Sequence, residues 1–274
     1  MSQTILITGS STGIGRATAF KFQKEGWNVI ATMRNPEKEE ELNKFDNVLV
    51  TRLDVQDLDS VNAAVGQGIG QFGKIDVVLN NAGYGLLGTF ESTPRENIQR
   101  QYDVNVFGLF DVTRAVLPHF RANKSGMFIN ISSVGGKITF PLISLYHSTK
   151  FAVEGFSESL HYEMKEIGVK VKLVEPGGVA TDFGGRSMDF QHDESKTEYN
   201  AIVASVNTVF RERMDPAQMS TPGLVADIIF RAATDGSDRL RYRAGADAEQ
   251  LLDARKAMTD EQFFNLMNEQ MQLN

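Results

Sequence analysis

Apolar residues along the chain form short β-branched runs, and longer stretches of helical character separate these runs. Most runs are nearly continuously apolar, as expected of strands that are covered on both faces of a parallel sheet. The candidate strands are TILIT, WNVIATM, NVLVTRLDV, IDVVLNNAG, GMFINISSV and VKVKLVEPGGV. The intervals between them are long enough for crossover helices. The pattern therefore predicts an α/β fold over residues 1–274, a single domain whose doubly wound parallel sheet carries helices on both faces.

The last third of the chain departs from this alternation. LRYRAG, near residues 240–245, predicts a weaker seventh strand after a helix through about 221–234. Residues of about 181–221 mix polar and aromatic positions and follow the sixth strand. Since ligands in such sheets bind beyond the carboxyl ends of the strands, we expect a substrate lid here, with Phe183 against the substrate, rather than a surface insertion. The tail of about 246–274 ends in FFNLMNEQMQLN, which either borders an apolar pocket or packs as core or interface.

Charge and composition narrow the possible partners. The 274 residues carry a formal net charge of -7, which argues against nucleic acid and anionic membranes and favours small molecules. The chain has no cysteine, and its four histidines lack ligand spacing, so we expect no metal. The N-terminus does not resemble a signal sequence, and no apolar run reaches the length of a membrane span, so we expect a cytoplasmic protein.

A glycine-rich turn follows the first strand. Gly9, Gly13 and Gly15 lie between TILIT and a stretch of helical pattern. This order of strand, tight turn and helix lets backbone N–H groups and a helix N-terminus approach a pyrophosphate. The segment predicts a dinucleotide site, with a tight turn that binds no ligand as the alternative.

Tyr146 and Lys150 lie four residues apart in YHSTK, so a helix places the phenol and the ammonium on one face. At a separation of about 4 Å and an effective dielectric constant of about 20, the positive charge would favour the phenolate by up to about 4 kcal/mol, or about three pKa units. We therefore expect the pKa of Tyr146 to fall near neutral pH, where the phenol could act as an acid and a base on a ketone or alcohol.

The segment from Thr8 to Gly15 reads T-G-x-x-x-G-x-G and resembles the fingerprint of the short-chain dehydrogenase/reductase family. Further motifs of that family occur in the same order, namely N-N-A-G at residues 80–83, a helical asparagine at Asn105, a serine at Ser133, the Y-x-x-x-K pair, and a proline-glycine segment at 176–181. The resemblance implies a Rossmann fold with a sheet of about seven strands. NNAGYGLLGTFE and YHSTKFAVEGFSESL are similar to the branch that contains the type 1 17β-hydroxysteroid dehydrogenase and the retinol dehydrogenases.

The resemblance also implies roles for individual residues. Tyr146 would exchange the proton, Ser133 would hydrogen-bond the substrate oxygen, Lys150 would hold the nicotinamide ribose, and Asn105 would anchor a water; all four count as catalytic. Ser132 is the alternative to Ser133, one residue away from the family spacing. The cofactor would be held by Gly9, Ser11, Thr12, Gly13, Ile14, Gly15, Arg34, Asp54, Val55, Asn81, Ala82, Gly83, Tyr146, Lys150, Pro176, Gly177, Val179 and Thr181. For Asp54 a strand-end cap remains an alternative to adenine binding. His147 is expected to pack against the helix or face solvent, with a catalytic role as the less favoured alternative.

The end of the second strand indicates which nicotinamide is used. Met33 cannot accept the hydroxyls of a ribose, whereas the guanidinium of Arg34, which follows it, suits a 2′-phosphate. In the branch that the chain resembles, such an arginine acts with a serine of the glycine turn, which Ser11 matches. We therefore expect NADP(H), although a solvated arginine would give the same sequence.

Together these features predict an NADPH-dependent carbonyl reductase or alcohol dehydrogenase that acts on a bulky hydrophobic ketone. A catalytically silent NADP(H)-binding regulator is the alternative, but such a protein does not need the proton-donating Tyr146. The glycine spacing and the length disfavour an epimerase or dehydratase. By resemblance, a homodimer or homotetramer would form through helices at about 94–122 and 145–167.

Overall fold

The computed structural model describes residues 2–181, 187–213 and 219–273. Seven of the strands in this part of the chain form one sheet in the order β3-β2-β1-β4-β6-β7-β9, and all neighbouring strands are parallel. The seven strands are β1 (Thr4–Ile7), β2 (Asn28–Met33), β3 (Val48–Arg52), β4 (Val77–Asn80), β6 (Gly126–Ile131), β7 (Val169–Pro176) and β9 (Arg241–Ala244). The predicted doubly wound parallel sheet is confirmed, including the weak seventh strand.

Helices cover both faces of this sheet. The helices of the described residues are α1 (Gly13–Lys24), α2 (Leu58–Phe72), α3 (Arg95–Tyr102), α4 (Gly108–Asn123), α5 (Ser144–Lys165), α6 (Asn200–Arg213), α7 (Pro222–Thr234), α8 (Ala246–Ala257) and α9 (Asp260–Gln270). On one face, Phe22 of α1 packs with Ile229 of α7 in one core cluster. On the other face, α2, α4 and α5 pack against Leu6 and Ile30. The sequence produces this arrangement because the central strands are apolar on both sides.

The strand order reverses between β1 and β4. From β1 the sheet grows through β2 and β3 in one direction, and from β4 it grows through β6 and β7 in the other. Ligands of open α/β sheets bind in the crevice beyond the carboxyl ends of the strands at such a point. The glycine turn follows β1 and the N-N-A-G segment follows β4, so both lie at this crevice.

A second sheet of two short strands lies apart from the main one. β5 (Gly85–Gly88) and β8 (Met188–Gln191) pair in parallel, although about a hundred residues separate them in the chain. Gly88 makes this pairing possible, because a Cβ there would lie 1.8 Å from the Gln191 carbonyl oxygen. Its N–H donates to the Leu142 carbonyl at 2.7 Å. The segment predicted as a lid, which contains β8 and α6, is thus tied through β5 to the loop before α5.

The tail after β9 forms the helices α8 and α9. Phe263 and Met267 of α9 are buried against Val134 and Ile138, which follow Ser133 in the chain. These apolar residues of the tail are therefore core, which was one of the two readings of their pattern. None of the helices in the described ranges is long and apolar enough to cross a membrane.

Candidate active site

The glycine turn has the backbone geometry of a phosphate cradle. Gly9 and Gly13 have φ angles of 71° and 57°, a region that side chains disfavour. A Cβ on Gly15 would lie 2.2 Å from the Gly9 carbonyl oxygen, so only glycine fits there. The first N–H groups of α1 have no partner within the helix, and its first turn has no acidic residue. Gly13 starts this turn and Ile14 follows it, so the N-terminus of α1 can accept an anion.

The segment after β4 packs directly on this turn. The Asn81 amide donates to the carbonyls of Thr8 and Gly9 at 2.9 and 3.1 Å. The Thr8 hydroxyl accepts the N–H groups of Asn81 and Ala82, both at 3.0 Å. A Cβ on Gly9 would lie 3.2 Å from the Ala82 Cα. Thr8 was predicted only as part of the fingerprint, and the structure gives it this bridging position.

Ser133, Tyr146 and Lys150 meet beyond the carboxyl end of β6. Ser133 follows this strand, and the first two turns of α5 carry Tyr146 and Lys150. The Ser133 hydroxyl hydrogen-bonds the Tyr146 phenol and accepts the Gly135 N–H at 3.0 Å. The Lys150 ammonium donates to the Ile131 carbonyl at 2.9 Å and lies 5.7 Å from the centre of the Tyr146 ring. The three side chains predicted as catalytic thus form one group.

The expected direction of the Tyr146 pKa is wrong for this chain. Burial of the phenol raises its pKa to about 12, and the hydrogen bond with Ser133 opposes the rise only in part. Burial also lowers the pKa of Lys150 to about 8, although the charge of Glu154 counteracts this. The simple estimate treated the lysine as a charge beside an otherwise solvated phenol. Here both groups lose water, so each favours its neutral form. Tyr146 therefore keeps its proton at neutral pH.

Asn105 lies in a π-helical turn, Asp103–Phe107, between α3 and α4. Such single turns are frequent at functional sites. The buried Asn105 side chain donates to the Tyr84 carbonyl at 2.9 Å and to the Thr149 hydroxyl at 3.3 Å, and it accepts the Tyr84 N–H at 3.1 Å. A Cβ on Gly83 would lie 3.2 Å from its Oδ1. Asn105 therefore joins the N-N-A-G segment to the helix that carries Lys150.

The proline-glycine segment closes the other side of the crevice. Pro176 ends β7, and its carbonyl lies 3.5 Å from the Ser133 hydroxyl. Gly177 leaves room for the Asp247 carboxylate, which accepts the Gly178 N–H at 2.6 Å. At the end of the segment, Val179 bridges to Ser220, and a Cβ on Gly13 would lie 3.3 Å from the Thr181 methyl group. Thr181 thus meets the glycine turn.

A polar cavity of about 460 Å³ lies at the end of β2. It is lined by Ser11, Thr12, Arg16, Met33, Arg34, Asn35, Lys38, Glu39, Glu40 and Glu41. Arg16 is paired with the buried Glu39 at 2.5 Å and with Glu41 at 3.2 Å. Within the described residues no ion pair engages Arg34 or Lys38, and both are exposed. An exposed arginine and an exposed lysine beside Ser11 are side chains of the kind that bind a phosphate.

Asp54 and Val55 follow β3 at the same edge of the sheet. The Asp54 carboxylate accepts the Gln56 N–H at 3.1 Å, and its own N–H donates to the Ser60 hydroxyl at 3.0 Å. These bonds fit the strand-end cap, and the adenine contact stays a prediction. Val55 is buried, and a Cβ on Gly108 would lie 2.6 Å from its Cβ.

His147 and Ser132 were the two open alternatives near the tyrosine. His147 is buried, with one ring nitrogen 2.8 Å from the Gly135 carbonyl and the other accepting the Phe140 N–H at 2.9 Å. Burial lowers the pKa of this imidazole and so favours the neutral ring. Through its two hydrogen bonds the ring holds the loop between Ser133 and α5 in position. Its burial rules out a solvent-facing position. The buried Ser132 hydroxyl has no hydrogen-bond partner in the described residues and lies beside Gly136, whereas Ser133 is the serine that hydrogen-bonds Tyr146.

A second cavity, of about 260 Å³, opens beside Leu142, four residues before Tyr146. Its lining is largely apolar and comes from Leu87, Leu142, Met188, Phe190, Val206, Asn207, Phe210 and Arg211. Phe183, which was expected to contact the substrate, lies outside the described residues. Within those residues no group of His, Cys, Asp and Glu side chains could hold a metal.

Known proteins share both the sequence and the fold of this chain. The model of the short chain dehydrogenase family matches residues 3–192. An uncharacterized oxidoreductase of Schizosaccharomyces pombe is 42% identical over 241 residues, which make up 88% of this chain and 100% of that protein. The structure of a short-chain dehydrogenase from Streptomyces avermitilis matches with a TM-score of 0.80 and 31% identity, over 94% of this chain and 95% of its own. The structure of ElxO with NADP bound has a TM-score of 0.74 and 26% identity, over 91% of this chain and 100% of its own. The chain therefore belongs to the short-chain dehydrogenase family of oxidoreductases.

Proposed function

We propose that the protein is an NADPH-dependent carbonyl reductase that also oxidises the corresponding secondary alcohol. The grouping of Ser133, Tyr146 and Lys150 beside the glycine turn carries this proposal. Ser133 and Tyr146 share a hydrogen bond, so both hydroxyls can reach one carbonyl oxygen. A protein that only senses a nucleotide has no use for a protonated phenol at this point.

The residues of the crevice fit NADP(H), the cofactor that the related ElxO structure contains. The cradle of Gly9, Gly13 and Gly15 would take the pyrophosphate, and Arg34 with Ser11 would take the 2′-phosphate. The remaining cofactor residues predicted from the sequence border the same crevice and stay predictions. When bound, the reduced nicotinamide supplies the hydride that the carbonyl carbon needs.

The chain's own side chains supply the proton and stabilise charge. Ser133 donates a hydrogen bond to the substrate oxygen and orients it towards Tyr146. Tyr146 holds its proton at neutral pH, because burial raises its pKa to about 12, and transfers the proton from its hydroxyl to the substrate oxygen. The phenolate that remains is stabilised by the Lys150 ammonium, which its bond to the Ile131 carbonyl holds in position.

The apolar cavity beside Leu142 supports a bulky hydrophobic ketone as substrate. Leu142 is four residues from Tyr146, so even an extended chain keeps their Cα atoms within about 14 Å. The cavity offers mostly aliphatic and aromatic surface, with Asn207 and Arg211 as its polar groups. A ketone whose carbonyl meets Tyr146 could extend its apolar body into this space.

The test is an assay of the purified protein with NADPH and a panel of ketones. We expect the absorbance of the reduced nicotinamide to fall when ketones are added, fastest with bulky apolar ones. Binding of NADPH without turnover of any ketone would contradict the proposal and favour a silent regulator. A preference for small polar carbonyls over every bulky one would contradict the apolar substrate alone.

We further propose that two copies pair through α4 and α5, as a homodimer or within a homotetramer. Phe107, Phe151 and Tyr162 are 49%, 45% and 69% exposed there, and Phe151 and Tyr162 lie on one face of α5. Light scattering coupled to size-exclusion chromatography should show a dimer or tetramer. Phe151→Glu should shift the mass downward, whereas Phe90→Glu, at an exposed site elsewhere, should not. A wild-type monomer would contradict this pairing.

A further inference from the structure

A buried cluster of charged side chains lies behind the candidate active site. Glu154 of α5 and Glu175 of β7 are 3% and 2% exposed. One Glu154 oxygen accepts from Arg241 at 2.9 Å and meets the Lys137 ammonium at 3.2 Å. Glu175 lies 3.6 Å from the same Arg241 nitrogen. Four parts of the fold thus converge on this point: α5, β7, β9 and the loop after Ser133.

The second oxygen of Glu154 is the unusual feature of this cluster. It is buried and has no hydrogen-bond partner among the described residues, and the neighbouring Ser132 hydroxyl has none either. A Cβ on Gly136 would lie 2.7 Å from the Ser132 oxygen and 2.8 Å from the Glu154 Cγ. The Glu154 side chain can therefore pack against this backbone position only because residue 136 is glycine. A buried polar atom without a partner costs stability.

Lys150 lies four residues before Glu154, so their side chains share a face of α5. Lys150 is itself buried, and burial favours its neutral form. We propose that Glu154 is a positioning residue that keeps the Lys150 ammonium charged in the working pH range. This inference rests on the proposed function, in which that ammonium stabilises the Tyr146 phenolate.

The other charged groups around Glu154 agree with this role. Burial lowers the pKa of Lys150 to about 8, and the Glu154 charge acts against that. Burial, together with the neighbouring Glu154, raises the pKa of Glu175 well above its ordinary value, which favours the neutral form of this carboxyl. Lys137 and Arg241 both pair with one oxygen of Glu154 and offset part of its charge, and the exposed Glu158 of α5 also binds Arg241.

The direct test is an NMR titration of isotope-labelled Lys150 in the protein, with the signal assigned by its loss in Lys150→Met. In Glu154→Gln we expect the pKa of Lys150 to fall by about one to two units. The upper limb of the pH profile of ketone reduction should move to lower pH with it. Glu158→Gln is the matched control, because it removes an exposed carboxylate that binds the same Arg241, and it should leave both quantities unchanged.

A second variant tests the opposite sign. Lys137 is partly exposed, so Lys137→Gln should fold, and removing its charge should raise the pKa of Lys150. An unchanged pKa of Lys150 in Glu154→Gln, an equal shift in Glu158→Gln, or a fall in Lys137→Gln would each overturn the inference. If the protein reduces no ketone, the proposed function fails, while the NMR titration still decides whether Glu154 sets the charge of Lys150.

Discussion

Replacing Tyr146 by phenylalanine is expected to lower kcat for ketone reduction by about 10²- to 10⁴-fold, the usual contribution of a positioned acid. The change removes the hydroxyl that hydrogen-bonds Ser133 and that would give its proton to the substrate. The ring and the Lys150 ammonium beside it remain, so the affinity for NADPH should change little. Steady-state rates at saturating NADPH and ketone give kcat, and quenching of protein fluorescence by NADPH gives the affinity for the cofactor.

Tyr102→Phe is the matched control for this experiment. Tyr102 lies on α3, and its hydroxyl donates to the Ser148 hydroxyl at 2.8 Å, two residues after Tyr146. Its loss should cost about 1 kcal/mol of stability and leave the chemistry intact. Undiminished reduction by Tyr146→Phe, or an equal loss in Tyr102→Phe, would remove Tyr146 from the proposed role.

The main sheet and the candidate catalytic group are features that local sequence can predict. Strands buried on both faces are continuous apolar runs, and even the weak LRYRAG run became β9. Tyr146 and Lys150 are four residues apart on a helix, so their placement on one face can be predicted without knowing the rest of the fold. The glycine turn can likewise be predicted from one short segment, because the close contact that requires glycine is between Gly15 and the carbonyl of Gly9, six residues before it.

Features that depend on distant segments were not predicted. GLLG is too short to indicate a strand, and β5 forms because β8, about a hundred residues later, pairs with it. The cluster around Glu154 likewise draws on four separate parts of the fold, and no spacing in the sequence connects Glu154 with Arg241. The direction of the Tyr146 pKa was wrong for the same reason, since it depends on how completely the surrounding chain buries the phenol.

The cofactor preference should depend on Arg34. We expect the wild-type protein to favour NADPH over NADH by about ten- to a hundredfold in kcat/KM, because a charge-assisted contact with a phosphate is worth about 1.5 to 3 kcal/mol. Arg16 lines the same cavity, but it forms ion pairs with Glu39 and Glu41. Its charge is therefore already largely compensated. Arg34, with help from Lys38, is then the group left for the 2′-phosphate.

Met33→Asp combined with Arg34→Ala should therefore reverse the preference towards NADH, while kcat with the better cofactor stays near the wild-type value. The new carboxylate would accept the ribose hydroxyls and repel a 2′-phosphate. Met33 is 4% exposed, so a thermal melt must show that the variant is folded, and Arg34→Ala alone separates the two changes. Arg52→Ala is the matched control: Arg52 pairs with Met33 across β2 and β3, but its guanidinium binds Asp57 at 2.8 Å and does not line the cavity. Equal kcat/KM values with both cofactors in the wild type, or a shift in preference caused by Arg52→Ala, would mean that Arg34 does not select the cofactor.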